Sequence, residues 1–122
     1  MGGSNPPLER SNNMKLLTKA IEKDFEKYPF GSQDGKGRNA KVLVKYFNPY
    51  GAGTWIITEA EKQEDGDYLM YGWCDLGFGE FGYVPLSDIQ SVGYLERDLY
   101  SSRNKTLGQV MMETGISIPE WL

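Results

Sequence analysis

The fold follows from residues 41–86, KVLVKYFNPYGAGTWIITEAEKQEDGDYLMYGWCDLGFGEFGYVPL. Runs rich in β-branched and aromatic residues alternate there with short turn sequences such as NPYGAG and EDGD, a pattern that predicts strands joined by hairpins. Because connections of this length join antiparallel neighbours, we expect an antiparallel sheet. The predicted strands, the last of which lies beyond this stretch, are 40–47, 54–61, 68–76, 81–86 and 94–100.

Alternation along the strands predicts which side chains share a face of the sheet. Val42, Val44 and Tyr46 are spaced two residues apart and should share one face of the first strand. The third strand, 68–76, has apolar residues on both faces, which indicates a central position in the sheet.

A first helix is expected over residues 14–27, with Asn13 as its N-cap and Pro29 as its end. Asp24 falls near the centre of the apolar arc of this helix. Either it lies on the rim at the helix end, or it meets a buried arginine or a backbone donor. We expect the rim position, because a buried unpaired carboxylate is costly. The apolar stripe consists of Leu17, Ile21, Phe25 and Tyr28.

Two further helical segments are expected downstream. Ser87 should cap a short turn, SDIQSV, and Thr106 should cap a last helix over 107–114 that Gly115 closes.

Together these elements predict one α+β domain over residues 14–122. Its antiparallel sheet of about four to five strands would be packed with an N-terminal and a C-terminal helix, with the helices on one face. Residues 1–13 are rich in Gly, Ser, Asn and Pro, and we expect them to be a flexible leader or an appended remnant.

Composition excludes most enzyme classes. The 122 residues include no histidine and a single cysteine, Cys74. This removes Ser-His and Cys-His nucleophiles, imidazole-bound zinc and internal disulfides. We therefore expect no enzyme activity, no cofactor and no metal. Without a long apolar run or a signal-like N-terminus, we expect no membrane association and a cytoplasmic location.

Residues 77–84, GFGEFGYV, match the glycine spacing of the nucleotide-binding hairpin of protein kinases. The kinase HRD and DFG sequences are absent, Glu80 would repel phosphate, and no long helix follows Gly82 as a dinucleotide site requires. The pattern is therefore interpreted as structural. Gly77 and Gly79 would supply positive φ, and Gly82 would give room to an aromatic ring.

Two carboxylates, Asp75 and Glu80, flank the same turn. Held close together, they would support glycoside hydrolysis or bind a divalent cation. Held apart, they would be ordinary solvated groups. We expect the solvated arrangement, and a carboxylate-based hydrolase is the least favoured function.

Charge is unevenly distributed along the chain. Residues 14–47 carry a net charge of +4, whereas residues 48–98 carry −8, and this balance disfavours strong nonspecific DNA binding. Five acids surround the hairpin at 64–67. They are interpreted either as a solvated turn or as an acidic knob that binds the basic surface of a partner. These acids are Glu59, Glu61, Glu64, Asp65 and Asp67.

A stripe of lysines on the first helix forms the alternative site. Its members repeat every four residues, and Glu22 and Glu26 are spaced to pair with two of them. With a stacking platform of Trp55, Trp73 and Tyr83, the stripe would contact the phosphates and bases of a nucleic acid. Otherwise the lysines are a solvated face and the aromatic residues are core. The stripe consists of Lys15, Lys19, Lys23 and Lys27.

Four segments of the chain resemble a family of uncharacterised bacterial and phage proteins, recorded as a domain of unknown function. The resemblance covers most of residues 14–100. It implies an origin in plasmids, integrative elements or phages and a role in evading host defence, and it carries over no catalytic residues. The segments are MKLLTKAIEKDF (14–25), KVLVKYFNPYGAGTWIITEAE (41–61), DLGFGEFGYVPLSDI (75–89) and LERDLY (95–100).

Two hypotheses of different classes follow. The first is a non-catalytic protein-interaction module of a mobile element, acting as an inhibitor of a host defence nuclease or complex in the manner of anti-CRISPR or antirestriction proteins. Its acidic hairpin would bind a basic protein surface. The alternative is a nucleic-acid-binding accessory protein that uses the lysine stripe and the sheet aromatics, with weak DNA binding at physiological salt.

Overall fold

A computed structural model of the chain describes residues 16–99 and 102–122. The predicted leader over 1–13, its Asn13 cap and Lys15 lie outside these residues. The elements, in chain order, are α1 (Lys19–Lys27), a 3-10 turn (Gly37–Asn39), β1 (Val44–Phe47), β2 (Thr54–Lys62), β3 (Tyr68–Asp75), β4 (Gly79–Pro85), α2 (Leu86–Val92), β5 (Glu96–Arg97) and α3 (Leu107–Thr114).

The strands form one antiparallel sheet in the order β4-β3-β2-β1-β5. The predicted α+β class, with a helix at each end of the chain, is confirmed. β3 lies inside the sheet, as its two apolar faces indicate, but the middle position belongs to β2. No helix in the described ranges is long and apolar enough to cross a membrane.

Both faces of the sheet are covered by helices. Ile56 and Ile57 are neighbours in β2 and therefore point to opposite faces. Ile57 packs in a cluster with α1 and α2, whereas Ile56 packs in a second cluster with α3. We call these the α1–α2 face and the α3 face. The prediction of helices on one face is therefore wrong, because two apolar sheet faces each need a cover.

The first strand is shorter than predicted, and Val42 does not share a face with Val44 and Tyr46. Val44 and Tyr46 pack on the α1–α2 face, but Val42 belongs to the cluster on the α3 face. The regular alternation of buried and partly buried side chains begins only at Val44. Ahead of it, the Val42 amide donates to the carbonyl of Lys105 at 2.8 Å, so this residue is positioned by the segment before α3.

Helix α1 begins five residues later than predicted. The Thr18 hydroxyl accepts a hydrogen bond from the Ile21 amide at 3.2 Å and is the N-cap. Just before it, the carbonyl of the buried Leu16 accepts the Tyr46 hydroxyl at 2.5 Å. The Leu16 carbonyl thus bonds a residue of β1 instead of an amide one helical turn ahead. The helix begins only after this point, and Leu17 precedes it.

Asp24 is buried within this helix, and the rim interpretation is wrong. Its side chain pairs with Arg103, whose Nη2 lies 2.6 Å from Oδ2. Since the partner is 79 residues away in sequence, nothing local in α1 reveals the pair. Burial of the carboxylate is compensated by this charge-assisted hydrogen bond.

The Asp24–Arg103 pair should be energetically asymmetric. Arg103→Met is expected to destabilise by about 1–2 kcal/mol, because it leaves a buried carboxylate without its partner. Asp24→Asn should cost less than half as much, because the Arg103 side chain is 38% exposed and can turn to water. Urea denaturation of both variants measures this difference, and equal losses would contradict it.

Of the two helix caps predicted after the sheet, the one at Ser87 is wrong and the one at Thr106 is confirmed. Helix α2 has Pro85 at its N-cap without a side-chain bond, and Ser87 lies within the helix. Helix α3 has the predicted Thr106 cap, completed by Gln109 as a capping box, and Gly115 ends it in the left-handed conformation. The predicted fifth strand is reduced to Glu96–Arg97.

Candidate functional site

An aromatic row runs across the α3 face of β3 and β4. Tyr71 is directly opposite Tyr83, and Trp73 is directly opposite Phe81, so all four rings project from the same side of the hairpin. The centroid distances along the row are 4.9 Å for Tyr71–Tyr83, 5.6 Å for Tyr71–Phe81 and 5.2 Å for Trp73–Phe81. Phe30 extends the row at one end and Trp121 at the other.

This aromatic row is buried in part and exposed in part. Trp73 is in the core, but Tyr83 is 61% exposed and Trp121 is 71% exposed. β4, which carries Phe81 and Tyr83, is at the edge of the sheet and pairs only with β3 among the described strands. The row therefore presents large apolar rings to solvent beside an edge strand, and such surfaces mark interaction sites.

The glycine-rich turn is explained by this packing. Gly77 has φ of +116°, as predicted, but Gly79 does not have positive φ. A Cβ at Gly79 would instead lie 2.4 Å from the Trp73 ring, so glycine is needed there for the indole to pack over the strand. At Gly82 a Cβ would meet only Cys74 Sγ at 3.9 Å, and the predicted ring over Gly82 is wrong.

A cavity of about 300 Å³ adjoins the middle of the aromatic row. Its floor is formed by Thr58, Glu59, Tyr71 and Phe81, and its rim by the loop that contains Gln33 and Asp34. We call it the acid–aromatic cavity.

The loop beside the cavity is attached to the sheet by side chains. β1 pairs only with Thr54–Ile57 of β2, so the rest of that edge is open to the loop. There Glu59 accepts the amides of Gly31 and Gln33, at 3.0 and 2.8 Å. The side-chain nitrogen of Gln33 donates to the carbonyls of Lys41 and Thr58, and its side-chain oxygen accepts from the backbone amide of Lys41. These three distances are 2.7 to 2.8 Å.

The five acids of the predicted hairpin knob do not form one surface. Glu59 is only 4% exposed, and Glu61 accepts the Phe30 amide at 3.1 Å, so both face the loop. Asp67 accepts the amide and the hydroxyl of Ser87, at 3.1 and 2.6 Å, and thereby caps α2 from outside. Glu64 and Asp65 remain exposed in the turn. The role of the exposed acids in binding a partner stays a prediction.

A family model of proteins of unknown function, DUF2958, matches residues 16–114. The chain belongs to the DUF2958 family. No curated protein and no solved structure matches it. The match to DUF2958 includes the β3–β4 part of the aromatic row and the whole cavity, whereas Trp121 lies beyond the matched residues.

The lysine stripe of this DUF2958 domain is remote from the aromatic row. Lys19, Lys23 and Lys27 are exposed on α1, which covers the opposite face of the sheet. The predicted Lys19–Glu22 pair is absent from the described salt bridges, and Glu22 accepts the Tyr68 hydroxyl at 3.2 Å instead.

The predicted stacking platform is not formed either. Trp55 packs against the cluster of the α1–α2 face, while Trp73 belongs to the α3 face and is buried. Only Tyr83 of the three is exposed on the aromatic row. Lysines and aromatic residues therefore do not combine into one surface.

Asp75 and Glu80 do not form a carboxylate pair. Asp75 is opposite Gly79, and Glu80 is opposite Cys74. Since neighbouring strand positions alternate in direction, the two side chains leave opposite faces of the DUF2958 sheet. Within the described residues, no three acids or cysteines lie close enough to hold a metal ion.

Sequence reasoning missed most of this site, although one signal was present. Tyr71 and Trp73 are two residues apart, as are Phe81 and Tyr83, and a short turn separates the pairs. In a hairpin, this spacing places all four rings on one face. The cavity had no comparable signal, because Gln33 and Asp34 come from a loop that reaches β2 only in the folded chain.

The thiol of Cys74 should react slowly with alkylating reagents. Burial, and then the charge of Glu80, raise its pKa to about 11. Against an ordinary value of 9.0, this lowers the thiolate fraction at pH 8 by roughly 100-fold. We expect iodoacetamide to label the native protein at least tenfold more slowly than the urea-denatured protein at pH 8, with the rate rising towards pH 11.

The raised pKa of Cys74 also predicts how the stability of the protein changes with pH. A folded pKa above the unfolded value stabilises the protein below about pH 9, and that contribution is lost as pH rises to 11. Because the chain has one cysteine, mass spectrometry reports this site alone. Equal labelling of native and denatured protein at pH 8 would contradict the prediction.

Proposed function

We propose that this DUF2958 protein is a non-catalytic interaction module that binds the basic surface of a partner protein through its aromatic row. The observation that carries the proposal is the exposure of Tyr83 on the edge strand β4 and of Trp121, whose ring lies 6.4 Å from that of Phe81 on the same strand. Tyrosine and tryptophan are enriched among the few interface residues that contribute most of the binding energy.

Acidic residues near the row support a basic partner. Segment 48–98 carries a net charge of −8, and Glu59 and Asp34 line the cavity that adjoins Tyr71 and Phe81. Arginine and lysine side chains are attracted both to carboxylates and to the faces of aromatic rings. The exposed Glu64 and Asp65 would add long-range attraction that speeds association at low salt.

The class of partner that we propose follows the family resemblance. A mobile-element protein that evades host defence would bind a nuclease or another subunit of a defence complex. Such proteins expose basic channels for nucleic acid, and an acidic, aromatic surface is complementary to them. The module would inhibit by occupying the channel, without chemistry of its own.

The nucleic-acid alternative has weaker support. Its lysines lie on α1, whereas Trp73 belongs to the α3 face and Trp55 is partly buried against the cluster under α1, so the lysines and the proposed platform do not form one surface for a single strand. Titration of labelled single-stranded and duplex DNA over a salt series tests it. Binding tighter than about micromolar at physiological salt, with a steep negative salt slope that Lys19→Ala and Lys23→Ala reduce, would favour the alternative.

The proposal is tested with matched bait variants in affinity capture from bacterial lysate. Tyr83→Ser removes an exposed tyrosine of the aromatic row. Tyr50→Ser removes another exposed tyrosine, which lies in the turn between β1 and β2 and contacts Tyr94. We expect a basic protein that the unmodified chain and Tyr50→Ser retain and that Tyr83→Ser loses.

Direct binding then separates the contributions to this interaction. With the captured protein purified, Tyr83→Ser should weaken the affinity at least tenfold, mainly through faster dissociation. The double variant Glu64→Lys and Asp65→Lys should slow association, with less effect once salt is raised. If no retained protein depends on Tyr83, or if the retained material is nucleic acid, the proposal fails.

A further inference from the structure

The acid–aromatic cavity contains the buried carboxylate of Glu59, which has no positive partner among the residues that the structure describes. Both Glu59 oxygens accept backbone amides, yet no lysine or arginine nitrogen of the described residues lies within 4.0 Å of them. Asp34 adds a second carboxylate at the rim of the same cavity. Buried charges are normally paired, so this cavity has an excess of negative charge open to a cationic group.

The rings that line the cavity are next to Glu59, since Tyr71 is its cross-strand partner. The rings of Tyr71 and Phe81 are nearly parallel, at 8° and 5.6 Å between centroids, and both line the cavity. Burial raises the pKa of Tyr71, and nearby groups that include Glu59 and Asp34 raise it further. The two acids therefore act electrostatically on the ring beside them, and Tyr71 stays a neutral phenol at physiological pH.

From this geometry we infer that the cavity binds a guanidinium group, as carried by an arginine side chain of the protein partner. A guanidinium is planar, so it stacks on an aromatic ring while its N–H groups bond carboxylates in its own plane. The volume of about 300 Å³ is at the lower limit of ligand sites. A cavity of this size has room for one long side chain but not for a nucleotide.

This inference rests on the proposed function, because it names the partner group that the aromatic surface receives. A basic protein would insert one arginine between the loop at Gln33 and the hairpin, with the exposed rings of the row contacting the surface around it. The buried centre and the exposed rim would then match the usual anatomy of an interface.

The test uses a small arginine probe, Nα-acetyl-arginine methylamide, in an amide NMR titration of the full chain. Two matched probes carry citrulline, a neutral isostere of arginine, and lysine. We expect the arginine probe to shift the amide resonances of Gly31 and Gln33, with a dissociation constant of about millimolar for so small a ligand. The lysine probe should bind more weakly, and citrulline should leave these resonances unchanged.

Three variants locate the site. Asp34→Asn, whose side chain is exposed, should weaken binding of the arginine probe about threefold without affecting the fold. Glu59→Gln should weaken it at least tenfold, with the amide spectrum as the check on folding because two loop hydrogen bonds are weakened too. Glu64→Gln is the control, since Glu64 is exposed in the turn and does not line the cavity.

Failure of the inference is distinguishable from failure of the proposed function. Equal binding of arginine and citrulline probes, tighter binding of lysine, or shifts that survive Asp34→Asn and Glu59→Gln unchanged would each overturn the guanidinium site. If the arginine probe fails while Tyr83→Ser still abolishes capture of the partner, only this inference is wrong. If the probe binds as expected and no partner depends on Tyr83, the site stands and the proposed function is wrong.

Discussion

Gly72→Ala is expected to destabilise the protein by at least about 3 kcal/mol, at the upper end of what overpacking costs. A Cβ at Gly72 would lie 1.9 Å from the Ile56 carbonyl oxygen and 2.8 Å from Ile57 Cα. Both are main-chain atoms of β2, which approaches β3 closely where its register shifts between Ile57 and Glu59. The strand would have to move, and the ladder between β2 and β3 would be weakened.

A matched control is directly across the hairpin. Gly82 is the partner of Gly72 in the β3–β4 register, and a Cβ there would meet only Cys74 Sγ at 3.9 Å. Neither glycine has positive φ. Gly82→Ala should therefore change stability by less than about 0.5 kcal/mol, while Gly72→Ala lowers the melting temperature by more than about 12 °C. Thermal unfolding that shows similar effects for the two would contradict the close approach.

Phe25→Ala is expected to cost roughly 3–5 kcal/mol. Phe25 is almost completely buried between α1 and the sheet. Its ring meets that of Tyr68 edge to face at 5.1 Å, a contact that adds to the loss of apolar burial. Urea denaturation followed by circular dichroism measures the change in the free energy of unfolding.

Lys23→Ala on the same helix is the control for helix propensity. Lys23 is exposed, and alanine is a good helix former, so this change should be within about 0.5 kcal/mol of the unmodified protein. Equal effects of Phe25→Ala and Lys23→Ala would mean that α1 does not present Phe25 to the core.

The candidate site shows where sequence reasoning reaches its limit. The five acids around the hairpin are close in sequence, and their spacing predicts a common surface. In the folded chain, Glu59 and Glu61 bond the loop after α1, and Asp67 bonds Ser87. Spacing along a strand predicts a face, but it does not predict which loop covers that face.

The elements themselves were determined by the sequence. Two-residue alternation placed β2, β3 and β4 within a few residues of their observed bounds. Thr106, Gln109 and Gly115 defined α3, because caps act within one turn of a helix. The missing histidine and the single cysteine limited the available chemistry whatever the fold. All of these inferences depend on interactions between residues that are near in sequence.

Tertiary structure alone decided which groups meet across long separations. It placed α1 and α3 on opposite faces of the sheet, paired Asp24 with Arg103, and brought Gln33 and Asp34 to Glu59 and Tyr71. The physical reason is that periodicity defines an apolar face without specifying its cover. Which element covers it depends on how well the whole chain packs and on which buried polar groups find partners.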